Sequence, residues 1–104
     1  LNSPVLPGQG DEAYQKFFEK DLFPAFQSFK PQVILVSSGF DAHEDDDMSD
    51  MKVTTKGFSW MMRHICALAQ QYSNGRLISI LEGGYCIQRL SELARNHVEI
   101  LIKH

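Results

Sequence analysis

Apolar residues recur along the chain with two different spacings, which predict three helical regions and two short buried strands. After a loop over residues 1–10, Asp11 is expected to cap a helix whose apolar positions lie three and four residues apart. Pro24 should kink this helix or begin a second short one, because proline lacks the N–H that an unbroken helix needs. The same spacing predicts a helix from about Thr54 or Thr55 to the turn at residues 73–75, and a last helix over residues 87–102. In that last helix seven positions are expected to be buried: Leu90, Leu93, Ala94, His97, Val98, Leu101 and Ile102.

The two predicted strands lie at residues 32–38 and 77–81, with the sequences QVILVSS and LISIL. Neither shows the alternation of a half-exposed strand, so both are expected to be buried on both faces, as in a parallel sheet. The order strand, helix, strand predicts a right-handed βαβ unit. Two strands cannot cover both of their own faces, so the α/β segment is expected to be part of a wider parallel sheet flanked by helices.

Composition and charge narrow the class of protein. The chain has 104 residues, of which 43% are hydrophobic and 22% charged, which fits a folded globular segment rather than a disordered one. The net charge of −3, without a basic block, argues against direct nucleic-acid binding, and the longest apolar run is too short to span a bilayer. Two cysteines, Cys66 and Cys86, form no CxxC pair and favour an intracellular compartment. The start at Leu1, without an initiator Met or a signal peptide, suggests a cut inside a longer chain.

Candidate chemistry follows each predicted strand. Asp41 comes after the first strand, and Gly83-Gly84-Tyr85 after the second. Because parallel strands end at the same edge, Asp41 and Tyr85 are expected to face one site. Asp41 could be a metal ligand or simply a turn cap. Tyr85 could donate a hydrogen bond to a developing oxyanion or be a core tyrosine.

Other polar residues near Asp41 give weaker signals. The run 44–47 lacks the spacing of a calcium loop, so solvated surface charge is expected there. His43 forms an Asp-x-His pair with Asp41 and could be a second metal ligand, whereas His97 lies on an apolar stripe and is expected in the core. Cys86 lies beside Tyr85 but has no clear histidine base to make it a nucleophile.

Three ordered motifs, taken together, resemble those of the zinc-dependent histone deacetylases. Residues 36–43, VSSGFDAH, followed by Asp46, Met51 and Thr54, are similar to the late metal-ligand loop of that family. Residues 81–85, LEGGY, look like its catalytic tyrosine motif, and residues 2–11 resemble its N-x-P-L-P-x-G-x-G-D loop. The resemblance is nearest to the class II enzymes and the acetylpolyamine amidohydrolase-like proteins.

The resemblance implies an arginase/deacetylase-type α/β fold and hydrolysis of the acyl amide of an acetylated protein or amine. Asp41 matches the later of two aspartates that hold Zn²⁺ together with one histidine, and Tyr85 matches the tyrosine that binds the acetyl carbonyl. Gly83 and Gly84 would line the substrate tunnel, and Met48 would form its wall. An acidic residue at the Met48 position marks the polyamine enzymes, so Met48 favours acetyl-lysine. His43 and Glu44 are not ligands in the family pattern.

The departures from the family pattern concern what the chain lacks. The tandem histidines, the Asp-x-His ligand pair and the substrate-binding aspartate lie upstream in the family, and no His-His pair occurs here. Residues 1–104 are therefore expected to be the C-terminal segment of one catalytic domain, inactive without its upstream partner segment. A truncated, non-catalytic interaction module is the alternative. Exposed apolar strand faces are expected to favour self-association, and a cytoplasmic or nuclear location is expected.

Overall fold

The computed structural model describes residues 1–104 and contains four α-helices and two strands. In chain order they are α1 (Asp11–Phe17), α2 (Phe23–Phe29), β1 (Ile34–Ser38), α3 (Thr55–Tyr72), β2 (Leu77–Leu81) and α4 (Ile87–Lys103). A π-helical turn, Phe18–Leu22, joins α1 to α2. No helix is both long enough and apolar enough to cross a membrane.

The first helical region begins differently from the prediction and continues as predicted. Pro24 lies in the first turn of α2, directly after the π-helical turn, which confirms a second short helix. Gly10, and not Asp11, occupies the N-cap of α1. The Asp11 carboxylate instead accepts hydrogen bonds from the hydroxyl and the backbone N–H of Thr54, the latter at 2.8 Å. Asp11 therefore fastens α1 to the start of α3, because Thr54 is itself the N-cap of that helix.

The strands form a two-stranded parallel sheet, as predicted. Their register runs from Ile34 opposite Leu77 to Ser38 opposite Leu81. One face carries the core, in which Ile34 packs against Leu68 and Ala69 of α3. Helix α4 packs beside α3 on the same face, where a 2.8 Å hydrogen bond joins its His97 ring to Ser79 of β2.

The other face of the sheet is open. Leu35, Ile78 and Ile80 are 66%, 54% and 52% exposed, so the 104 residues taken alone bury only one face of the sheet. The expectation that the strands expose an apolar face is confirmed. Val98 and Ile102 of α4, which were expected to be buried, are also exposed, because α4 packs inward on the side of Leu93 and His97 while its outer side has no neighbouring element.

Candidate functional site

The loops that follow β1 and β2 leave the same edge of the sheet and are joined by main-chain hydrogen bonds. The Glu82 N–H donates to the Ser38 carbonyl at 2.8 Å, and the Phe40 N–H donates to the Gly83 carbonyl at 3.0 Å. The parallel pairing predicted from sequence therefore brings the Asp41 loop and the Gly83-Gly84-Tyr85 loop together at the place where ligands bind in open α/β sheets.

Gly84 allows the two loops to touch. It is buried and has φ +101°, a conformation that L side chains rarely adopt. A Cβ placed on it would lie 2.7 Å from the backbone nitrogens of Phe40 and Asp41. A glycine is thus required here by both the backbone conformation and the close approach of the Asp41 loop.

Asp41 belongs to the loop that follows β1 and is an exposed residue. The Asp41 carboxylate lies close to Gly39 and Gly83. A Cβ built on Gly39 would be 3.2 Å from the Asp41 Oδ1, and one built on Gly83 would be 3.8 Å from the Asp41 Oδ2. No hydrogen bond of the structure uses this carboxylate, so Asp41 does not act as a turn cap. Asp41 and Gly83 line one cavity of about 470 Å³.

Tyr85 and Met48 share a different hollow at this edge, of about 260 Å³. Tyr85 is 77% exposed and is therefore not a core tyrosine, and Met48 is 90% exposed. The structure thus brings Asp41 together with Gly83, and Tyr85 together with Met48. It packs Gly84 behind the junction of the two loops.

His43 does not join Asp41 as a ligand. The ring is 2% exposed and stacks on Phe58, with ring centroids 6.2 Å apart. Its Nδ1 accepts a hydrogen bond from the Asp45 N–H at 3.1 Å, so Nε2 carries the proton and donates to the Thr55 hydroxyl at 2.9 Å. Both ring nitrogens are used, which makes His43 an anchor between its loop and α3.

The acidic run 44–47 is only partly a solvated surface, which corrects the sequence expectation. Asp46 is 5% exposed, and its Oδ1 accepts the Met48 N–H at 2.8 Å, so this carboxylate closes a turn. The Asp45 carboxylate accepts a hydrogen bond from Arg89 Nε of α4 at 2.8 Å. That bond lowers the pKa of the Asp45 carboxyl and raises the pKa of the Arg89 guanidinium.

Tyr14, Glu82 and His97 are further titratable residues that line the Asp41 cavity, and the sequence pattern places Tyr14 and His97 only on apolar helix stripes. Burial raises the pKa of the Tyr14 phenol, and the Asp41 carboxylate raises it further. Burial lowers the pKa of His97, whose Nε2 is bonded to Ser79. Tyr14 follows the N-terminal motif by three positions, but no pattern within its helix indicates that it reaches Asp41.

The donor chemistry at this edge fits one ligand of a divalent metal and not a complete site. Asp41 offers a free carboxylate, but nowhere in the chain do three His, Cys, Asp or Glu side chains converge. A catalytic zinc site takes three protein ligands, so the others would have to come from outside these residues.

Comparisons with known proteins agree with the fold and the motifs. Residues 1–101 match the family model of the histone deacetylase domain. A probable deacetylase of Archaeoglobus fulgidus is 39% identical over 88 residues, covering 85% of this chain and 24% of the relative. Histone deacetylase 14, chloroplastic, of Arabidopsis thaliana is 37% identical over 102 residues, covering 98% of this chain and 24% of the relative.

Solved structures give the same result. The crystal structure of the HDA15 HD domain superposes with a TM-score of 0.84 at 30% identity, over 95% of this chain and 27% of that one. The structure of acetylpolyamine aminohydrolase from Burkholderia pseudomallei superposes with a TM-score of 0.82 at 29% identity, over 97% of this chain and 28% of that one. The arginase/deacetylase-type fold expected from the sequence is confirmed. The chain spans about a quarter of the length of these proteins.

Proposed function

The chain belongs to the histone deacetylase family, and from this membership we propose that residues 1–104 form the C-terminal segment of one zinc-dependent catalytic domain. The proposed reaction is hydrolysis of an acyl amide, with acetyl-lysine in histones or other proteins as the substrate. The observation that carries the proposal is the common sheet edge, where the bonds from Glu82 to Ser38 and from Phe40 to Gly83 hold the two motif-bearing loops together.

Asp41 and Tyr85 have separate roles in this proposal. Asp41 contributes one zinc ligand, which its exposed and unbonded carboxylate supports. Zinc, when bound, supplies Lewis-acid polarisation of the amide carbonyl and a water of lowered pKa. The Tyr85 phenol donates a hydrogen bond to the carbonyl oxygen as negative charge develops on it, an effect typically worth about 3 kcal/mol. The 77% exposure of Tyr85 leaves the phenol free to reach a substrate.

The substrate stem is proposed to lie along Gly83, Gly84 and Met48. Gly83 lines the Asp41 cavity and Met48 is an apolar wall of the Tyr85 hollow, which supports an uncharged alkyl stem such as that of acetyl-lysine. An acetylated polyamine is the second candidate substrate. Its support is the likeness to the Burkholderia aminohydrolase and the exposed carboxylate of Asp47, which lines the same hollow as Tyr85.

The remaining ligands and the general base are proposed to come from the preceding segment of the same domain. That segment is also proposed to cover the open face of Leu35, Ile78 and Ile80, because so much exposed apolar surface is unusual in a finished domain. A polypeptide without such a segment would be a non-catalytic interaction module that associates through this face. We place the protein in the cytoplasm or nucleus, which the two free thiols, Cys66 and Cys86, support.

The test is a pair of substitutions in the natural full-length protein, each with a matched control from this chain. Asp41→Asn should reduce the zinc content measured by elemental mass spectrometry, whereas Asp47→Asn, in the same loop, should not. Tyr85→Phe should keep the zinc and lower kcat by about a hundredfold or more, as loss of one oxyanion donor does. Tyr72→Phe, on α3, should leave kcat unchanged.

Acetyl-lysine peptides and acetylated polyamines are supplied in parallel, so that the better substrate identifies the class. Undiminished turnover in both Asp41→Asn and Tyr85→Phe would sink the assignment. Full turnover by the 104-residue chain alone would contradict the proposal that further ligands lie outside it.

A further inference from the structure

Asp45 is held by three groups on different parts of the chain. Its N–H donates to His43 Nδ1 at 3.1 Å, its carbonyl accepts from the Cys86 thiol at 3.2 Å, and its carboxylate accepts from Arg89 Nε at 2.8 Å. His43 is fixed in turn by Thr55 at the start of α3. Asp45 is therefore a fixed point on the Asp41 loop to which the start of α4 is attached.

Tyr85 lies between two such attachments. On one side the Gly83 carbonyl accepts the Phe40 N–H, and on the other Cys86 and Arg89 bind Asp45. The Tyr85 side chain is 77% exposed, so few contacts of its own fix it in place. Its position depends on the backbone at either end.

Arg89 is the stronger of the two contacts on the α4 side. A guanidinium that donates to a carboxylate makes a charge-assisted hydrogen bond, whereas a thiol is a weak donor. Glu92 holds the same guanidinium from the next turn of α4, with Nη1 3.4 Å from its Oε2. The Arg89 side chain is thus oriented toward the Asp41 loop by its own helix.

We propose that Arg89, by binding Asp45, is a positioning residue for Tyr85, setting where the phenol stands relative to Asp41. This inference rests on the proposed function, since it assigns Arg89 to the same site. An exposed ion pair contributes little to the stability of a fold, so its loss should leave the fold intact while freeing the start of α4. Misplacement of a catalytic group by about 1 Å can cost a hundredfold in rate.

The experiment compares Arg89→Ala, Arg89→Lys and a control, Arg95→Ala, in the natural full-length protein. Arg95 is exposed on the same helix and pairs only within it, with Glu99 at 4.0 Å. Hydrogen exchange is followed by mass spectrometry for peptides over residues 84–91, with peptides over 60–70 of α3 as the internal reference. The kcat and KM for an acetyl-lysine peptide are measured on the same preparations.

Arg89→Ala should speed exchange over residues 84–91 about two- to fivefold, which is what loss of one exposed ion pair allows, and should leave α3 unchanged. It should lower kcat about ten- to a hundredfold at unchanged KM. Arg89→Lys should restore part of the protection from exchange and part of the kcat, and Arg95→Ala should resemble the wild type in both measurements. Exchange and kcat both equal to those of the wild type in Arg89→Ala would overturn the proposal, as would faster exchange with an unchanged kcat.

If the proposed function is wrong, the result is different, because the wild-type protein then hydrolyses no acyl amide. In that case the exchange experiment alone decides whether Arg89 fixes the Tyr85 segment. Unchanged exchange then overturns the inference, and faster exchange confined to residues 84–91 supports it.

Discussion

Replacing Gly84 by alanine combines two unfavourable effects that other glycines of the chain separate. Gly84 has a φ of +101° and a crowded Cβ direction, with Phe40 and Asp41 backbone atoms at 2.7 Å. Gly8 has a φ of +86° with nothing within 4 Å. Gly10 has the crowding alone, against the Lys52 backbone, and Gly83 has neither, since its nearest neighbour is 3.8 Å away.

The expected losses of unfolding free energy follow from these differences. A strained backbone conformation costs about 1–3 kcal/mol, and overpacking against atoms that cannot move costs about 1–3 kcal/mol. Gly84→Ala should therefore lose about 2–6 kcal/mol, and Gly8→Ala and Gly10→Ala about 1–3 kcal/mol each. Gly83→Ala should stay within about 0.5 kcal/mol of the wild type. A loss of about 2–6 kcal/mol is a large part of the roughly 5–15 kcal/mol that typically stabilises a domain.

The assay is denaturant unfolding of the four variants of the natural full-length protein. Activity is then measured at a temperature at which each variant remains folded. Folded Gly84→Ala should retain little turnover, because moving its loop displaces both Asp41 and Tyr85. Gly8→Ala, which lies in the N-terminal loop, should keep its turnover. A Gly84→Ala protein no less stable than the Gly8 and Gly83 variants would refute the close contact between the two loops.

Two further expectations concern pH and association. Burial holds the pKa of His97 below its unfolded value of about 6.5, although the cavity it lines also contains Asp41 and Glu82. Because the unfolded chain then binds more protons, stability should be full above pH ~6.5 and should fall as the pH drops below it. His97→Gln should flatten that dependence in urea titrations at several pH values, and an unchanged slope would contradict the assignment. Replacing Leu35 and Ile80 on the open sheet face by threonine should reduce self-association of the 104-residue chain in light scattering, whereas Leu6→Thr in an exposed loop should not.

The strands and the long helix could be predicted because their signals are local. Each signal occurs within a single element, namely the short apolar runs at residues 34–38 and 77–81 and the apolar stripe of α3. The parallel pairing follows from the order of these elements. The open sheet face was predicted from the number of strands, because two strands cannot cover both faces of their own sheet. An apolar strand residue indicates that its position is buried in the complete domain. Among these 104 residues no element covers Leu35 and Ile80.

Only those features of the site that follow directly from the ends of the strands could be predicted from the sequence. Asp41 and Gly83 meet because they follow paired strands. By contrast, Asp11 binds Thr54 across 43 positions and Arg89 binds Asp45 across 44, and no local periodicity signals either contact. Asp46 was expected in solvent because acidic runs usually are, whereas the turn before Met48 gives its carboxylate a buried partner.

These contacts divide the work of the proposed site between this chain and the rest of the domain. The relative placement of Asp41 and Tyr85 depends on bonds internal to the chain, through Gly83, Gly84 and Arg89. In the proposed site, metal retention would need Asp41 together with ligands from outside residues 1–104, because no three possible ligands converge within them. Changes at Arg89 should therefore lower turnover at full zinc occupancy, whereas changes to ligands outside residues 1–104 should lower occupancy and leave exchange over residues 84–91 as it is. Because zinc content and amide exchange are measured independently, the two classes of variant separate on the same preparations.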